Sequence, residues 1–261
     1  MIDPLTFISL ILLGLLISTL SSILGVGGGF LIVPSLVILY GINAEIAIGT
    51  SLATIVFTSI SATIAYYKQN LIDWKLGLLT AGLSVPAASL GAYIVSFISS
   101  ESLSFIFGFF LLFTGLRNLV KGLSVKRTSS NNEQPHPFSR VELIKASPFL
   151  FASGLLSGLL GVGGGVINVP IYSSILKRSF HVSVATSMFA IIFTSLSGTI
   201  THLTLGNISF YYSISLILGV IVGAQIGAKV ASKITAKYLQ IIFGTFVMML
   251  GLYMLITYFP L

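Results

Sequence analysis

Long apolar runs separated by short polar breaks dominate the chain, and they predict membrane-spanning helices. A run of about 20 residues at ~1.5 Å per residue crosses ~30 Å of hydrocarbon, whereas a run of about 11 residues covers less than two thirds of that distance. The runs cover residues 5–24, 30–40, 46–67, 76–98 and 103–120, and again residues 146–160, 166–176, 182–203, 211–231 and 239–259. The pattern predicts an all-α polytopic membrane protein, in which each half has three full spans and a hairpin with one short arm.

The two halves of the chain are copies of one another. Each position in the first half pairs, without a gap, with the position 136 residues later, so that Gly25 pairs with Gly161 and Pro34 pairs with Pro170. The polar residues that start the third run of each half obey the same offset. We therefore predict two structural repeats, residues 1–120 and 146–261, joined by a polar linker at residues 121–145.

Each short apolar run follows a glycine-rich interruption. Irregular backbone survives at membrane depth only where protein buries it or a wet cavity meets it. Glycine allows positive φ and close approach of a ligand to the backbone, and the helix that follows presents unpaired amides and a partial positive charge, which suit an anion. The alternative is that these glycines only let helices cross closely. The candidate binding residues are Gly25, Gly27, Gly28 and Gly29 in the first repeat and Gly161, Gly163, Gly164 and Gly165 in the second.

Small polar side chains near these interruptions complete the predicted site. Thr50 and Ser51 start the third run of the first half, and Thr186 and Ser187 start its copy. Asn168 replaces Ile32 of the first half, either as an extra ligand or as a partner in a helix–helix hydrogen bond. The hydroxyls deeper in these runs are expected to bond to the carbonyl four residues earlier; they are Thr58, Ser61, Thr194 and Ser197.

Composition excludes several classes of protein. The chain of 261 residues is 55% hydrophobic and 7% charged, with a mean hydropathy of +1.06, which no soluble domain of this size shows. Its net charge of +7 comes from short loops between apolar runs, which argues against nucleic-acid binding. There is no cysteine and no Lys, Arg, Asp or Glu in the middle of a run. We predict no catalytic residue, no metal site and no cofactor, and we expect His202, which pairs with Tyr66, to lie at the membrane interface.

The basic residues also predict the topology. Lys and Arg mark cytoplasmic loops, so the linker is predicted to be cytoplasmic, and both termini, which lack Lys and Arg, are predicted outside. Counting the short runs as half-crossings makes every loop obey the rule and makes the two repeats inverted relative to each other. Ignoring the short runs gives parallel repeats, which leaves Lys177 and Arg178 unexplained. We favour inverted-topology repeats, whose solute site lies at the midplane between them.

The doubled glycine motif and the Gly49-Thr50-Ser51-Leu52 and Ala185-Thr186-Ser187 segments resemble the TauE/SafE-type sulfite exporter family, also called toluene sulfonate uptake permeases. The resemblance covers nearly the whole chain outside the linker. It implies a multi-pass carrier of sulfite, thiosulfate, organosulfonates or other small organosulfur anions in the cell inner membrane. The resemblance also makes coupling to protons an expectation, although no carboxylate lies in the middle of a run to carry a proton.

The sequence therefore predicts a secondary transporter of small anions, with the lipid bilayer and the anion as its partners. A channel or exporter for a neutral or weakly acidic solute is the alternative, since no fixed cation lies in a run. An intramembrane hydrolase using a serine and His202 is disfavoured because no serine at a helix start faces that histidine at mid-membrane depth. A homodimer stays open.

Overall fold

The computed structural model describes residues 4–124, 140–231 and 236–258, and within these ranges the chain is helical without any strand. The first half contains α1 (Pro4–Leu24), α2 (Gly29–Tyr40), α3 (Ala44–Tyr67), α4 (Trp74–Ile94), a 3-10 turn (Val95–Phe97) and α5 (Ser100–Ser124). The second half repeats this order as α6 (Arg140–Leu160), α7 (Gly165–Ser174), α8 (Phe180–Thr204), α9 (Phe210–Val230) and α10 (Ala236–Thr257). The all-α prediction is confirmed.

Helix length separates spanning helices from half-length arms, as the apolar runs predict. Seven helices of the described residues are long and apolar enough to cross a membrane; they are α1, α3, α4 with its 3-10 turn, α5, α6, α8 and α9. In contrast, α2 has 12 residues and α7 has 10. Both short helices begin directly at the last glycine of a glycine-rich interruption, one residue earlier than the apolar pattern alone indicates.

The two halves interlock instead of standing side by side. α1 of the first half packs on α9 of the second, and the equivalent contact joins α6 to α4. α3 and α8 lie at the centre, where they contact each other; α3 also contacts α9, and α8 also contacts α4. α5 packs on its own equivalent, α10. This exchange of partners is the contact pattern of a pseudo-two-fold axis.

Close glycine contacts give the direction of the paired helices. Gly108 of α5 packs on Gly251 and Met254 of α10, whereas Gly115 packs on Gly244 and Met248. Residues early in α5 therefore meet residues late in α10, so these equivalent helices are antiparallel. A two-fold axis perpendicular to the helices produces this arrangement, and it supports the predicted inversion of the repeats.

Glycines inside the long helices act as packing surfaces, as expected for small residues in membrane helices. A Cβ added at Gly91 would overlap the carbonyl oxygen of Leu155, and a Cβ at Gly227 would overlap that of Thr19. Gly223 meets the carbonyl oxygen of Leu15 in the same way. These isolated glycines therefore allow the long helices to cross closely.

The linker is shorter than the sequence pattern indicates, because helices enter it from both ends. α5 continues to Ser124 and α6 begins at Arg140, so both ends of the predicted 121–145 segment are helical. The remaining linker prediction falls on residues 125–139, which lie outside the described residues, as do residues 1–3 and 259–261.

Candidate functional site

The two glycine loops, residues 25–29 and 161–165, lie against each other at the centre of the molecule. A Cβ added at Gly29 would overlap the carbonyl oxygen of Gly161, and one added at Gly165 would overlap that of Gly25. Every residue of both loops is buried. The duplicated motif therefore forms one composite feature in which each loop touches the carbonyl of the other.

Positive φ explains why these loops need glycine. In the first loop φ is 73° at Gly25, 87° at Gly27 and 105° at Gly28. In the second loop the equivalent values are 68°, 79° and 87° at Gly161, Gly163 and Gly164. L side chains disfavour this region, and so the chain turns sharply here from a long helix into a short one.

The turns leave amide groups pointing away from the helix ladder. In the described part of the chain, the amides of Gly27, Gly28, Gly163 and Gly164 donate to no backbone carbonyl, and no side chain caps α2 or α7. The third amide of each short helix turns back onto its loop, since Leu31 N–H donates to Gly28 O at 3.0 Å and Ile167 N–H donates to Gly164 O at 3.1 Å. Two helix N-termini, each with a partial positive charge, therefore meet at one place.

Two serines tie the loops together across the pseudo-two-fold axis. Ser51 Oγ donates to the carbonyl oxygen of Gly161 at 2.9 Å, and Ser187 Oγ donates to that of Gly25 at 2.8 Å. Both side chains are fully buried. The sequence predicts that these hydroxyls bind the solute. In this conformation, each hydroxyl donates its proton to a carbonyl oxygen of the opposite loop.

The neighbouring threonines hold loops at the two ends of the central helix pair. Thr50 Oγ1 accepts from the amide of Ser209 at 3.0 Å, and Thr186 Oγ1 accepts from the amide of Asp73 at 2.9 Å. Asp73 and Ser209 are themselves equivalent positions that precede α4 and α9. Thr50 and Thr186 thus connect the glycine-loop region to the start of the following helix in the opposite half.

Apolar side chains fill the space between the loops. Ile55 Cγ2 lies 3.2 Å from the Cβ position of Gly27 and 3.3 Å from that of Gly163, and its equivalent Ile191 contacts both positions at 3.5 and 3.2 Å. Both isoleucines are fully buried. Buried apolar side chains therefore close the loop interface in this structure.

Asn168 breaks the symmetry of the site. It lies in the first turn of α7, where it is 1% exposed, and neither Nδ2 nor Oδ1 has a hydrogen-bond partner. A buried primary amide without partners is costly in a folded protein. The predicted helix–helix hydrogen bond is therefore absent, and the ligand interpretation of this residue is the one that stays open.

His202, which the sequence assigns to the membrane interface, instead supports the glycine loops together with its equivalent Tyr66. Tyr66 donates from its hydroxyl to the carbonyl oxygen of Ser22 at 2.7 Å, and His202 Nε2 lies 3.0 Å from that of Gly158. Both side chains are 0% exposed. The interfacial prediction for His202 is wrong, because the ring packs in the protein interior and ties the end of α6 three residues before its glycine loop.

The hydroxyls deeper in α3 and α8 divide into two groups. Thr58 and Thr194 donate to the carbonyl four residues earlier, at 3.2 Å in both cases, as expected. Ser61 and Ser197 instead donate across to α9 and α4, to Ile221 O at 2.7 Å and Val85 O at 2.8 Å. The local-bond prediction is wrong for these two serines, since neighbouring helices come close enough to offer a carbonyl.

One ion pair lies near the site and has no signal in the sequence. Arg178 Nη2 is 3.0 Å from Asp73 Oδ2, and the two side chains are 7% and 17% exposed. The residues are far apart in the chain, and the loop charges by themselves indicate only topology. Among the described residues, no three His, Asp or Glu side chains cluster as a metal site would require.

Comparison with known proteins gives a consistent result. The family model described as sulfite exporter TauE/SafE matches residues 10–254. The chain is 33% identical over 231 residues to the probable membrane transporter protein YunE of Bacillus subtilis, covering 82% of this chain and 84% of that protein. It is 30% identical over 214 residues to the probable membrane transporter protein MJ0441 of Methanocaldococcus jannaschii, covering 80% and 76%. No solved structure gives a significant match.

Proposed function

The chain belongs to the sulfite exporter TauE/SafE family, and from this premise we propose that this multi-pass membrane transporter is a secondary carrier of small anions. The proposed substrates are sulfite, thiosulfate or an organosulfonate. The proposed site lies between the two glycine loops, at the midplane of inverted repeats in the cell inner membrane. The observation that carries the proposal is the meeting of two amide-rich helix N-termini beside the buried, unpartnered Asn168.

Neutral donors suffice for such a site. The unpaired amides of each loop supply hydrogen bonds and partial positive charge to an oxyanion, and Asn168 Nδ2 supplies a further donor. No Lys or Arg lies in the loops, so no protein cation neutralises the charge of the bound anion. A site of this kind releases its ligand more readily than one with a buried arginine, which suits a carrier that must also unload.

In the proposed cycle, this structure is assigned to the closed state. Ser51 and Ser187 hold each loop to the other through the carbonyls of Gly161 and Gly25, and Ile55 and Ile191 exclude water from the space between. When the loops separate, both serine hydroxyls lose these carbonyls and turn to the anion. The same side chains then stabilise the closed state and bind the substrate in the open one.

Uptake of radiolabelled sulfite or thiosulfate into proteoliposomes tests the proposal. Gly28→Leu and Gly164→Leu are expected to abolish uptake while the protein still inserts, because a side chain at these φ values obstructs the amides. Gly82→Leu is the matched control, since Gly82 is exposed on α4 and has no atom near its Cβ position. Retained uptake in both loop variants would reject the site.

A ligand screen identifies the substrate independently of transport. Purified protein is heated with sulfite, thiosulfate, sulfoacetate, taurine, sulfate or a simple carboxylate, and a binder raises the unfolding temperature by mass action. Charge movement during uptake distinguishes the anion carrier from a pathway for a neutral solute. Stabilisation by none of the anions, with electroneutral movement of an uncharged solute, would favour the latter function.

A further inference from the structure

A charged cavity lies at the end of the molecule that is predicted to face the cytoplasm. It has a volume of about 440 Å³ and lies between the α3–α4 loop and the α7–α8 loop. Three cations and one carboxylate line it: Lys75, Lys177, Arg178 and Asp73. The excess of positive charge makes this cavity attractive to a small anion.

A second cavity, at the opposite end, has the reverse character. It has a volume of about 340 Å³ and lies between the start of α3 and the α8–α9 loop. Its lining includes Glu45 and contains no Lys or Arg. Its Asn43, Ile46, Gly206 and Asn207 are equivalent to Ser179, Val182, Asn70 and Leu71 of the basic cavity, whereas the equivalents of Lys177 and Arg178 are the uncharged Gly41 and Ile42.

Lys177 of the basic cavity adopts a backbone conformation that lysine disfavours. Among the described residues, Asn70 and Lys177 are the non-glycine residues with positive φ, at 54° and 51°, and both line the basic cavity. Their equivalents in the other repeat are Gly206 and Gly41, with φ of 74° and 64°. Lysine is disfavoured in this region and glycine is not. A side chain held at such a position points to a functional role.

The ion pair connects this cavity to the glycine loops. Arg178 binds the Asp73 carboxylate, and the Asp73 amide donates to Thr186 Oγ1. The next residue, Ser187, donates to the carbonyl of Gly25 in the first glycine loop. Asp73 is thus connected to the loop interface through two hydrogen bonds and the Thr186–Ser187 peptide bond.

Resting on the function proposed above, we propose that the basic cavity is a vestibule where a small oxyanion docks on Lys177 and Arg178 and replaces Asp73 as the partner of Arg178. A guanidinium binds carboxylate, sulfite and sulfonate oxygens with the same geometry, so the exchange is between like groups. When Arg178 releases the Asp73 carboxylate, the hydrogen bond from the Asp73 amide to Thr186 weakens. The start of α8 then moves more freely, which lets the glycine loops separate. The anion itself then opens the route from this face.

Lys177→Gly is the sharpest test, because glycine occupies the equivalent position at nearly the same φ. With sulfite applied to the face that carries the basic cavity, KM is expected to rise roughly three- to tenfold at low salt, with kcat within about twofold of wild type. The unfolding temperature of Lys177→Gly should equal or exceed that of the wild type. The KM difference should shrink at high salt, since it arises from an exposed charge. Lys68→Gln, a cation at the end of α3 outside the lining, is the control.

The outcomes separate this proposal from the carrier function. Wild-type protein that takes up neither sulfite nor thiosulfate would defeat both. Wild-type uptake with a Lys177→Gly KM within about twofold of wild type at low salt would overturn only the vestibule. Anionic lipid headgroups have similar chemistry, so the assay is repeated in pure phosphatidylcholine and with phosphatidylglycerol. A KM effect confined to the anionic lipid would overturn docking of the free anion.

The ion pair is tested with variants in which uncharged side chains replace Arg178 and Asp73. Arg178→Gln alone should lower the unfolding temperature and raise KM at least tenfold. Asp73 also caps α4, since its Oδ1 accepts from the Leu76 amide at 3.0 Å. Asp73→Asn keeps this cap, because asparagine also caps helix starts. The double variant Asp73→Asn with Arg178→Gln should recover the unfolding temperature while KM stays at least tenfold above wild type. Recovery of both would show that the pair only supports the fold, which contradicts the proposed exchange.

Discussion

The two repeats support their glycine loops with the same bonds but differ at the residues that distinguish one side of the site from the other. Ser51 and Ser187 make equivalent bonds, and so do Thr50 and Thr186. Even Tyr66 and His202, which share no chemistry beyond a ring and a polar tip, reach equivalent carbonyls. The shared bonds define the closed interface, and the backbone geometry is therefore a property of the duplicated motif.

The differences lie around this common frame. Asn168 occupies the place of Ile32, Lys177 that of Gly41, and Asp73 that of Ser209. Each difference adds polarity or charge to one end of an otherwise symmetric arrangement. A carrier with two identical halves has no preferred side, so these substitutions are where substrate selection and direction can be encoded.

The largest expected effect comes from breaking the contact that the repeats share. Gly29→Ala and Gly165→Ala each place a Cβ on the carbonyl oxygen of the opposite loop. Because backbone must move to relieve the overlap, each should destabilise the protein by about 3 kcal/mol or more and abolish uptake. Thermal unfolding in detergent measures the loss, with Gly82→Ala as the control. Strongly unequal losses would show that the two loops are not equivalent.

An intermediate effect is expected from making the site symmetric. Asn168→Ile installs the first-repeat residue and removes a buried amide that has no partner. The variant should be more stable by about 1–3 kcal/mol, yet bind the anion less tightly. Unfolding temperature with and without sulfite reports both quantities. A more stable variant with unchanged sulfite response would remove Asn168 from the site.

The smallest effect is expected from the two tethering serines. Ser51→Ala and Ser187→Ala each remove one hydroxyl bond to a loop carbonyl, which should cost about 1 kcal/mol of stability. Because the same bond holds the loops closed, both variants should expose the interface more often. Hydrogen exchange of the loop amides measures this opening. Equal increases in exchange would show that the two serines hold the loops equally. An increase in one variant alone would show that they do not.

The sequence identified the site region because its signals are local. Glycine clusters followed by short apolar runs and a proline indicate broken helices wherever they occur, and the repeat offset shows that the breaks come in a pair. The same reasoning located Thr50, Ser51, Thr186 and Ser187. It could not find the partners of these hydroxyls, because Gly161 and Gly25 lie more than a hundred positions away in the chain.

Burial was the other quantity beyond the reach of sequence. His202 and Tyr66 end apolar runs, a position typical of interfacial residues, but packing of α3 and α8 against the opposite half encloses both. Ser61 and Ser197 reach neighbouring helices for the same reason. The Asp73–Arg178 pair appears only when two loops from different halves are brought together.

The sequence by itself determined the membrane class, the duplication, the order of long and short helices and the two breaks, since hydrophobicity, helix length and glycine's access to positive φ are properties of short segments. The tertiary structure alone decided that the loops meet, that their interface is closed by Ile55 and Ile191, and that Asp73, Lys177 and Arg178 line one cavity. Those features arise from contacts between distant segments, and such contacts depend on how the two interlocked halves pack.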